Sequence, residues 1–493
     1  MATTKELAMF FKNKGFIYPS SEIYGGVAGL YDYGHLGTKL KKNFEDLWRR
    51  FFLNLNDNFF EIETANIMHE NVFKASGHLE NFIDPLAKCS KCGHVERADH
   101  LVEKHLNKRV EGFSTEELNK LVKENGIKCP QCKSEFQDIS VLNMMFPLEM
   151  GVHSSNKAFL RPETAQSPYV NFKLQYELLR KKLPMGLALI GRAYRNEISP
   201  RNLTLRQREF TQAELQIFFN PNKINEHPDF DSVREYPLRT MLTTDRDAKM
   251  IVERTAEQLV ELGLPKFYVY HLVKIQQFYL EEMKVPKDKF RLYQLDDKEK
   301  AFYNKYHFDL EVDLAEHGFT EMGGLHYRTD HDLSGHQKIS GVKMEVMEEG
   351  SDEKFIPHVL ELSFGVDRHV YALLDINLKD DPGRGNKVLK LPPKISPFFC
   401  TVLPLVKNKE NIVAKAREIY DSIKSCYSCY YDETSSVGRR YARADEIGTC
   451  YGITIDFDTL EDNCVTIRDR DNTKQERVKI SELKNKLFSL YFS

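Results

Sequence analysis

The sequence predicts an α+β protein: a large antiparallel sheet with a cysteine-bearing insert, followed by a smaller C-terminal α/β domain. Three stretches carry that reading. Leu187–Phe219 has an apolar entry (Leu187, Leu189, Ile190), a turn-rich centre (Ser199, Pro200, Asn202) and an apolar return (Leu215, Ile217, Phe218, Phe219), the pattern of two strands joined by a loop. His358–Gly365 alternates, with Val359, Glu361 and Ser363 on one face and Leu360, Leu362 and Phe364 on the other. From Pro392 onward strand-like and amphipathic helical runs alternate, which argues for a compact α/β unit.

A chain of 493 residues, 41% hydrophobic and 29% charged, is long enough for more than one domain. Its formal net charge of -3 means that any nucleic-acid contact must come from basic groups placed locally. Lys5, Glu6, Lys12 and Lys14 interrupt any secretory apolar run, and no apolar stretch reaches the length that spans a bilayer. A cytoplasmic protein without a membrane partner is therefore expected. Its nine cysteines are read as thiols or metal ligands rather than as a disulfide framework.

Along the chain, residues 5–17 predict a short helix with Leu7, Phe10 and Phe11 on one face, and a glycine-rich turn region fills 15–34. Leu40, Phe44, Leu47, Trp48, Phe51 and Phe52 repeat at helical spacing over 38–54. Cys89-x-x-Cys92 and Cys129-x-x-Cys132, joined by a helical stretch over 114–126, have the spacing of a tetrahedral thiolate zinc site. Four thiolates leave no open position, so the zinc would be structural; four unrelated buried thiols are the alternative, and His94 and His100 are spare ligands. Next, 160–166 reads as a strand end, a proline and a helix start that continues through Tyr169, Phe172, Leu174 and Leu178. Glu163 there is an early-turn carboxylate, favourable with the helix dipole. Within the hairpin, Arg195 and Glu197 share a face, and Arg206, Arg208, Phe210, Gln212 and Glu214 form one row. Such a face offers guanidinium groups to phosphate, a ring to a flat base and carboxylates to an amine; a solvated, salt-bridged hairpin is the plainer alternative. Residues 221–310 read as charged and predominantly helical, with candidate helices at 251–262 and 272–282. In the strand at 358–364, Glu361 and Ser363 occupy a face that a buried sheet would keep apolar unless a ligand meets them. Arg368 then stands in the first turn of a helix over 367–374, against the dipole, a placement that suits an anionic ligand. The C-terminal region reads as strand 398–406, helix 410–425, a strand–helix pair to 448, two strands over 451–457 and 464–471, and a last helix at 481–492. Arg439, Arg440 and Arg443 start one of its helices as a local basic patch.

The run Arg195-Asn196-Glu197, then Arg206-Gln207-Arg208-Glu209-Phe210 and Glu214, resembles the second signature motif of class II aminoacyl-tRNA synthetases, and most of all that of the glycyl-tRNA synthetases. Arg161 to Gln166 (Arg-Pro-Glu-Thr-Ala-Gln), Arg97 to Leu101, Glu321 with Arg328-Thr329-Asp330, His358 to Arg368 and Asp445 to Asn463 resemble further segments of the same family, in the family's order. His35, Ser167-Pro168, Phe319-Thr320, Met322 and Ser435 depart from the family's usual residues. The resemblance implies a class II catalytic domain over 1–88 and 143–390 with a zinc insert at 89–142 and a helical insertion at 221–310, followed by an anticodon-binding domain at 391–493. It further implies ATP-dependent activation of glycine to glycyl-adenylate and transfer to tRNA(Gly) by a homodimer that uses Mg²⁺. The implied ATP site is Arg195, Asn196, Glu197, Leu205, Arg206, Gln207, Arg208, Glu209, Phe210, Glu321, Met322, Gly365, Val366, Asp367 and Arg368, with Arg195 and Arg368 catalytic. Glu321 is placed near Mg²⁺, supported by Arg328 and Asp330. The implied glycine site is Arg97, Glu163, Phe210, Thr211, Gln212, Ala213, Glu214, Glu361, Leu362, Ser363, Phe364 and Gly365. Two other readings remain: a class II enzyme for another small amino acid, and a catalytically inactive paralogue that binds RNA for regulation.

Overall fold

The computed structural model describes residues 3–492 apart from 109, 111–112, 152–156, 302 and 349. Its centre is a nine-stranded sheet. In chain order the strands are β1 (Phe59–Glu61), β2 (Met185–Tyr194), β3 (Glu209–Phe219), β4 (Pro237–Met241), β5 (Val252–Thr255), β6 (Phe290–Gln294), β7 (Tyr306–Leu314), β8 (Gly318–Thr329) and β9 (His358–Gly365). They lie side by side as β5-β4-β6-β7-β8-β9-β3-β2-β1, antiparallel except at β4/β6 and β2/β1.

The alternation seen in the sequence decides which face is dry. Leu360, Leu362 and Phe364 point from β9 into the main core, where Phe364 meets Trp48 and Phe52 at centroid distances of 6.1 and 5.0 Å. Those two rings belong to helix α1 (His35–Phe52), whose buried Leu40, Phe44, Leu47 and Trp48 repeat on one side. The opposite face of β9 and β3 is lined by Glu361, Ser363, Gln212 and Glu214, and is roofed in part by helix α2 (Gln166–Leu178), whose Tyr169 and Phe172 pack on Phe218. Register sets each polar side chain beside its neighbour: Glu214 lies opposite Ser363, Gln216 opposite Glu361, and His326 of β8 opposite Glu361.

The reading of 221–310 as predominantly helical is corrected. The segment holds helices at Ala256–Glu261 and Lys266–Gln277, but it also supplies β4, β5 and β6, which extend one edge of the central sheet. These strands are short, one opens on Pro237, and charged Arg239, Arg254 and Arg291 interrupt their apolar pattern, so periodicity alone favours the long apolar helix beside them.

The cysteine-bearing insert has its own small core of Val102, Leu118, Val122 and Ile127, built from helices Ala98–Leu106 and Thr115–Glu124. A three-stranded sheet of Ile83–Lys88, Val95–Arg97 and Ser140–Asn143 joins it to the rest of the chain. In the C-terminal domain a five-stranded sheet packs helix Glu410–Ile423 through Ile412, Ala416, Ile419 and Ile423 against Val402, Ile453 and Ile455. Its expected basic patch is only partly there. Arg439 is exposed, whereas Arg440 is buried with its guanidinium on the carbonyls of Leu405 and Ser435, and Arg443 pairs with Asp432. No described helix is long and apolar enough to cross a membrane.

Candidate active site

A cavity of about 200 Å³ opens on the polar face of β3, β8 and β9. Glu163, Arg195, Glu197, Arg206, Phe210, Glu214, Glu321, Glu361, Ser363 and Arg368, drawn from distant parts of the sequence, all line it. The sheet explains the convergence: β3 and β9 are adjacent, and the loop between β2 and β3 folds over their ends.

One end is anionic and enclosed. Ser363 Oγ donates to Glu214 Oε1 at 2.9 Å, and Gln212 Nε2 donates to the same oxygen at 2.9 Å. Glu361 accepts from Gln216 Nε2 and from Arg328, each at 3.0 Å. Glu163 accepts from Gln166 Nε2 at 3.0 Å and faces His78 Nε2 at 3.4 Å. Arg328 also grips Asp332 with two hydrogen bonds of 2.8 and 3.0 Å. Three buried carboxylates, Glu163, Glu361 and Asp332, thus surround one guanidinium, and buried Glu214 has the uncharged Ser363, Gln212 and Gln216 as partners, an arrangement short of positive charge. Burial, with Glu361 and Glu163 nearby, pushes the Glu214 carboxyl up to about 8. Burial raises Glu361 as well, against the pull of Arg328. Glu163 is also opposed by burial, yet His78 and Arg328 hold it well below the usual carboxylate range. Such an end suits a small ammonium group.

The other end is cationic and aromatic. The Arg195 guanidinium lies between the rings of Phe82 and Phe210, at 5.4 and 5.2 Å, and donates to Pro162 O at 3.0 Å. Arg368 donates to Leu205 O and Glu321 O at 3.2 and 3.0 Å and faces the Glu321 carboxylate at 3.2 Å. Arg206 pairs with Glu197, its Nε donating at 2.7 Å. Two guanidinium groups that approach one space beside a half-buried aromatic ring suit a nucleoside polyphosphate.

Not every residue expected at the site faces the cavity. Arg208 turns away and donates to the carbonyls of Glu197 and Ala28, at 3.0 Å each. Glu209 faces Arg192, 3.6 Å away. Ala213, Leu362, Phe364 and Val366 are core residues, and Asn196 and Arg97 do not line the space. Arg97 instead pairs with Asp84 at 3.1 Å, and Asp84 lies 3.8 Å from Arg206, so its link to the site is indirect. Leu205, Gln207, Thr211, Gln212, Met322, Gly365 and Asp367 do line the cavity. Arg328, expected beside the metal-binding carboxylate, stands in the anionic end, and Asp330 accepts from Ser334 outside the cavity. His78, Gln166 and Asp332 hold the anionic end, and Tyr303, Asn304, His307 and His326 line the cavity, none of them singled out from sequence. Strand alternation is the signal for His326, two residues from Arg328 on the same face; no local pattern marks the others.

The four sulfurs of Cys89, Cys92, Cys129 and Cys132 lie within 4.8 Å of one another, with Cys89–Cys132 and Cys92–Cys129 at 3.4 and 3.7 Å. A tetrahedral site with zinc–sulfur bonds of about 2.3 Å has sulfurs about 3.8 Å apart, so the donor set fits zinc in both chemistry and size. Each pair sits in a tight turn closed by backbone bonds, Cys89 N to His94 O and Cys129 N to Ser134 O, with Gly93 and Lys133 at positive φ. His94 and His100 stand outside the sulfur cluster.

The antiparallel sheet with its polar face folded around Arg195 and Arg368 is the catalytic fold of the class II aminoacyl-tRNA synthetases. In overall shape the chain matches a prolyl-tRNA synthetase from Cryptosporidium parvum complexed with L-proline and AMP, with a TM-score of 0.60, 12% identity and coverage of 100% of this chain and 75% of that one. It likewise matches a structure of the RNA binding domain of threonyl-tRNA synthetase from Cryptosporidium parvum, with a TM-score of 0.61, 18% identity and coverage of 99% and 98%. Residues 400–490 match the anticodon binding domain family. In sequence the chain is 41% identical to the glycine--tRNA ligase of Pyrococcus furiosus over 98% of both chains, and 35% identical to that of Aeropyrum pernix over 98% of this chain and 96% of the relative. The chain belongs to the glycine--tRNA ligase family, a family of aminoacyl-tRNA ligases.

Proposed function

We propose that the cavity condenses ATP with glycine and passes the glycyl group to the terminal ribose of tRNA(Gly). The observation that carries this reading is the excess of buried carboxylate at the closed end of a cavity whose mouth is lined by arginine and an aromatic ring. In the first step a glycine carboxylate oxygen attacks the α-phosphorus of ATP, and the bond from that phosphorus to the α,β-bridging oxygen breaks, releasing pyrophosphate. In the second, a ribose hydroxyl attacks the glycyl carbonyl, loses its proton, and AMP leaves. Neither step needs a protein nucleophile; positioning and neutralisation of charge supply the rate.

Arg195 and Arg368 approach the phosphates from two sides, and Phe210 offers its ring to adenine, with Glu197 as acceptor for an exocyclic amine. Arg206 reaches the distal phosphates by exchanging its pairing with Glu197 for a phosphate oxygen. Glu163, Glu214 and Glu361 hold the ammonium of glycine, with Ser363 fixing Glu214. Glu321 has a hard oxygen that would hold Mg²⁺, and the ion would supply neutralisation of phosphate charge. Cys89, Cys92, Cys129 and Cys132 would hold a structural zinc that ties the two turns of the insert together. A homodimer is supported by Ile23 and Tyr24, apolar side chains that are 88% and 87% exposed on the turn before α1.

Pyrophosphate exchange dependent on glycine, followed by charging of tRNA(Gly), tests the reading. Exchange with glycine and none with larger amino acids is expected. Exchange that answers to another amino acid, or none at all beside intact tRNA binding, overturns it.

A further inference from the structure

The cage of carboxylates explains how an amine is held but not why one without a side chain is chosen, because an ammonium is common to every amino acid. The space beside the cage is where a side chain would have to go. In β8, Gly324 lies opposite Ser363 and His326 opposite Glu361, so that the four share one sheet face, and His326, Glu361 and Ser363 line the cavity. Gly324 leaves a gap in that face, and the gap is filled: a Cβ at this position would meet His326 Nε2 at 2.5 Å and His307 Nε2 at 3.1 Å. The His326 imidazole therefore leans along the strand over Gly324, next to the Ser363 hydroxyl that fixes Glu214.

Its ring is held on several sides. Asn304 Nδ2 lies 3.3 Å from His326 Nδ1, the Glu361 carboxylate faces Nε2 at 3.6 Å, and the His307 ring packs against it at a centroid distance of 4.0 Å and an angle of 50°. His307 is itself anchored by Asp309, 3.1 Å from its Nε2. A side chain with these supports yields little when a ligand presses on it. Burial, with His307 and Arg328 nearby, also keeps the ring uncharged, so it does not repel an ammonium at the cage.

We propose that His326, braced by His307 and Asn304, is the wall that excludes amino acids bearing a side chain: a specificity-determining residue for the first step. The inference rests on the carboxylate cage being the amine site. An amine anchored by Glu214 and Glu361 brings its α-carbon against the imidazole, and a β-methyl has to displace the ring and its two supports. Steric exclusion of this kind is the route left to a site that must reject a larger substrate, since one added methyl in a roomy pocket would be tolerated.

The test compares kcat/KM for glycine and for L-alanine by pyrophosphate exchange in the full-length wild type, His326→Ala and His326→Gln. The glycine-to-alanine ratio should fall at least ~10-fold in His326→Ala, within the range that one methylene sets, while His326→Gln, which keeps most of the bulk, retains more of the discrimination. A ratio unchanged in His326→Ala overturns the proposal, and so does an equal loss with both amino acids, which would make the ring a positioning residue. If the alanine variant does not fold, as read by thermal melting, His326→Val carries the same comparison. Glu163→Gln in the same assay separates the two ideas: an unchanged KM for glycine there removes the cage reading itself, whatever the ratio in His326→Ala.

Discussion

At the scale of single residues, the anionic end is unusual because its carboxylates are not matched by cations. Replacing Glu163 or Glu361 with glutamine keeps the shape and removes one charge-assisted hydrogen bond to an ammonium, about 2–3 kcal/mol. The KM for glycine should rise ~30–150-fold with a much smaller change in the KM for ATP, measured by pyrophosphate exchange. Glu214 adds a pH dependence whose sign follows from its raised pKa. Its carboxyl titrates at about 8 in the ligand-free fold, against an ordinary value near 4.5, so the folded state binds the proton more tightly than the unfolded one between those values. Stability is therefore lost as pH rises from about 5 through 8, and an ammonium beside Glu214 restores it by favouring the ionised form. Glycine should raise the melting temperature more at pH 8 than at pH 6, and glycine binding below pH 8 should release a proton, detected by calorimetry in buffers of different ionisation enthalpy. Glu214→Gln should abolish both effects; their persistence would assign the proton to another group.

Among the elements, those whose chemistry repeats along the chain were legible in the sequence. The β2–β3 hairpin and β9 declared themselves by alternation, and the residues they carry to the cavity, Phe210, Gln212, Glu214, Glu361 and Ser363, are where the pattern places them. Arg208 shows the limit of that argument. The strand begins at Glu209, so alternation does not extend to Arg208, and its guanidinium finds the carbonyls of Ala28, in the neighbouring glycine-rich turn, and of Glu197. Likewise β4, β5 and β6 are too short and too charged to outweigh an adjacent helix with nine buried residues. His78, Asp84 and Asp332 reach the site region through tertiary packing alone, which no window of sequence contains. The paired Cys-x-x-Cys turns are the opposite case, since spacing by itself fixes two sulfurs per turn. The insert holds only a small core around Val102 and Leu118, so a metal there should supply much of its stability. Purified protein should carry about one zinc per chain. Cys132→Ser or a strong chelator should remove it and open residues 89–142 to limited proteolysis while the central sheet stays resistant. Protein that is free of zinc and equally resistant in the insert would refute a structural role.

For the whole molecule, the two sheets divide the labour. The cavity and its carboxylates belong to the nine-stranded sheet and the segments packed on it, whereas residues 400–490 form the unit that matches an anticodon binding domain. Their junction combines polar contacts, Asn43 Nδ2 donating to Ser396 O at 2.8 Å, Arg384 pairing with Asp445 at 3.0 Å and Lys14 pairing with Glu446, with apolar packing of Ile447 on the main core. The formal charge of -3 requires the nucleic acid to be gripped by individual basic groups, and burial of Arg440 together with the pairing of Arg443 leaves Arg439 as the exposed cation of its helix start. Arg439→Ala should therefore raise the KM for tRNA several-fold and lower the slope of log KM against log salt by about one, the mark of one lost phosphate contact. Glycine-dependent pyrophosphate exchange, run without tRNA, should be unchanged. A parallel fall in exchange would mean that the Asn43, Lys14 and Arg384 contacts couple the two sheets during catalysis, and an unchanged salt slope would place the tRNA on another face of the C-terminal domain.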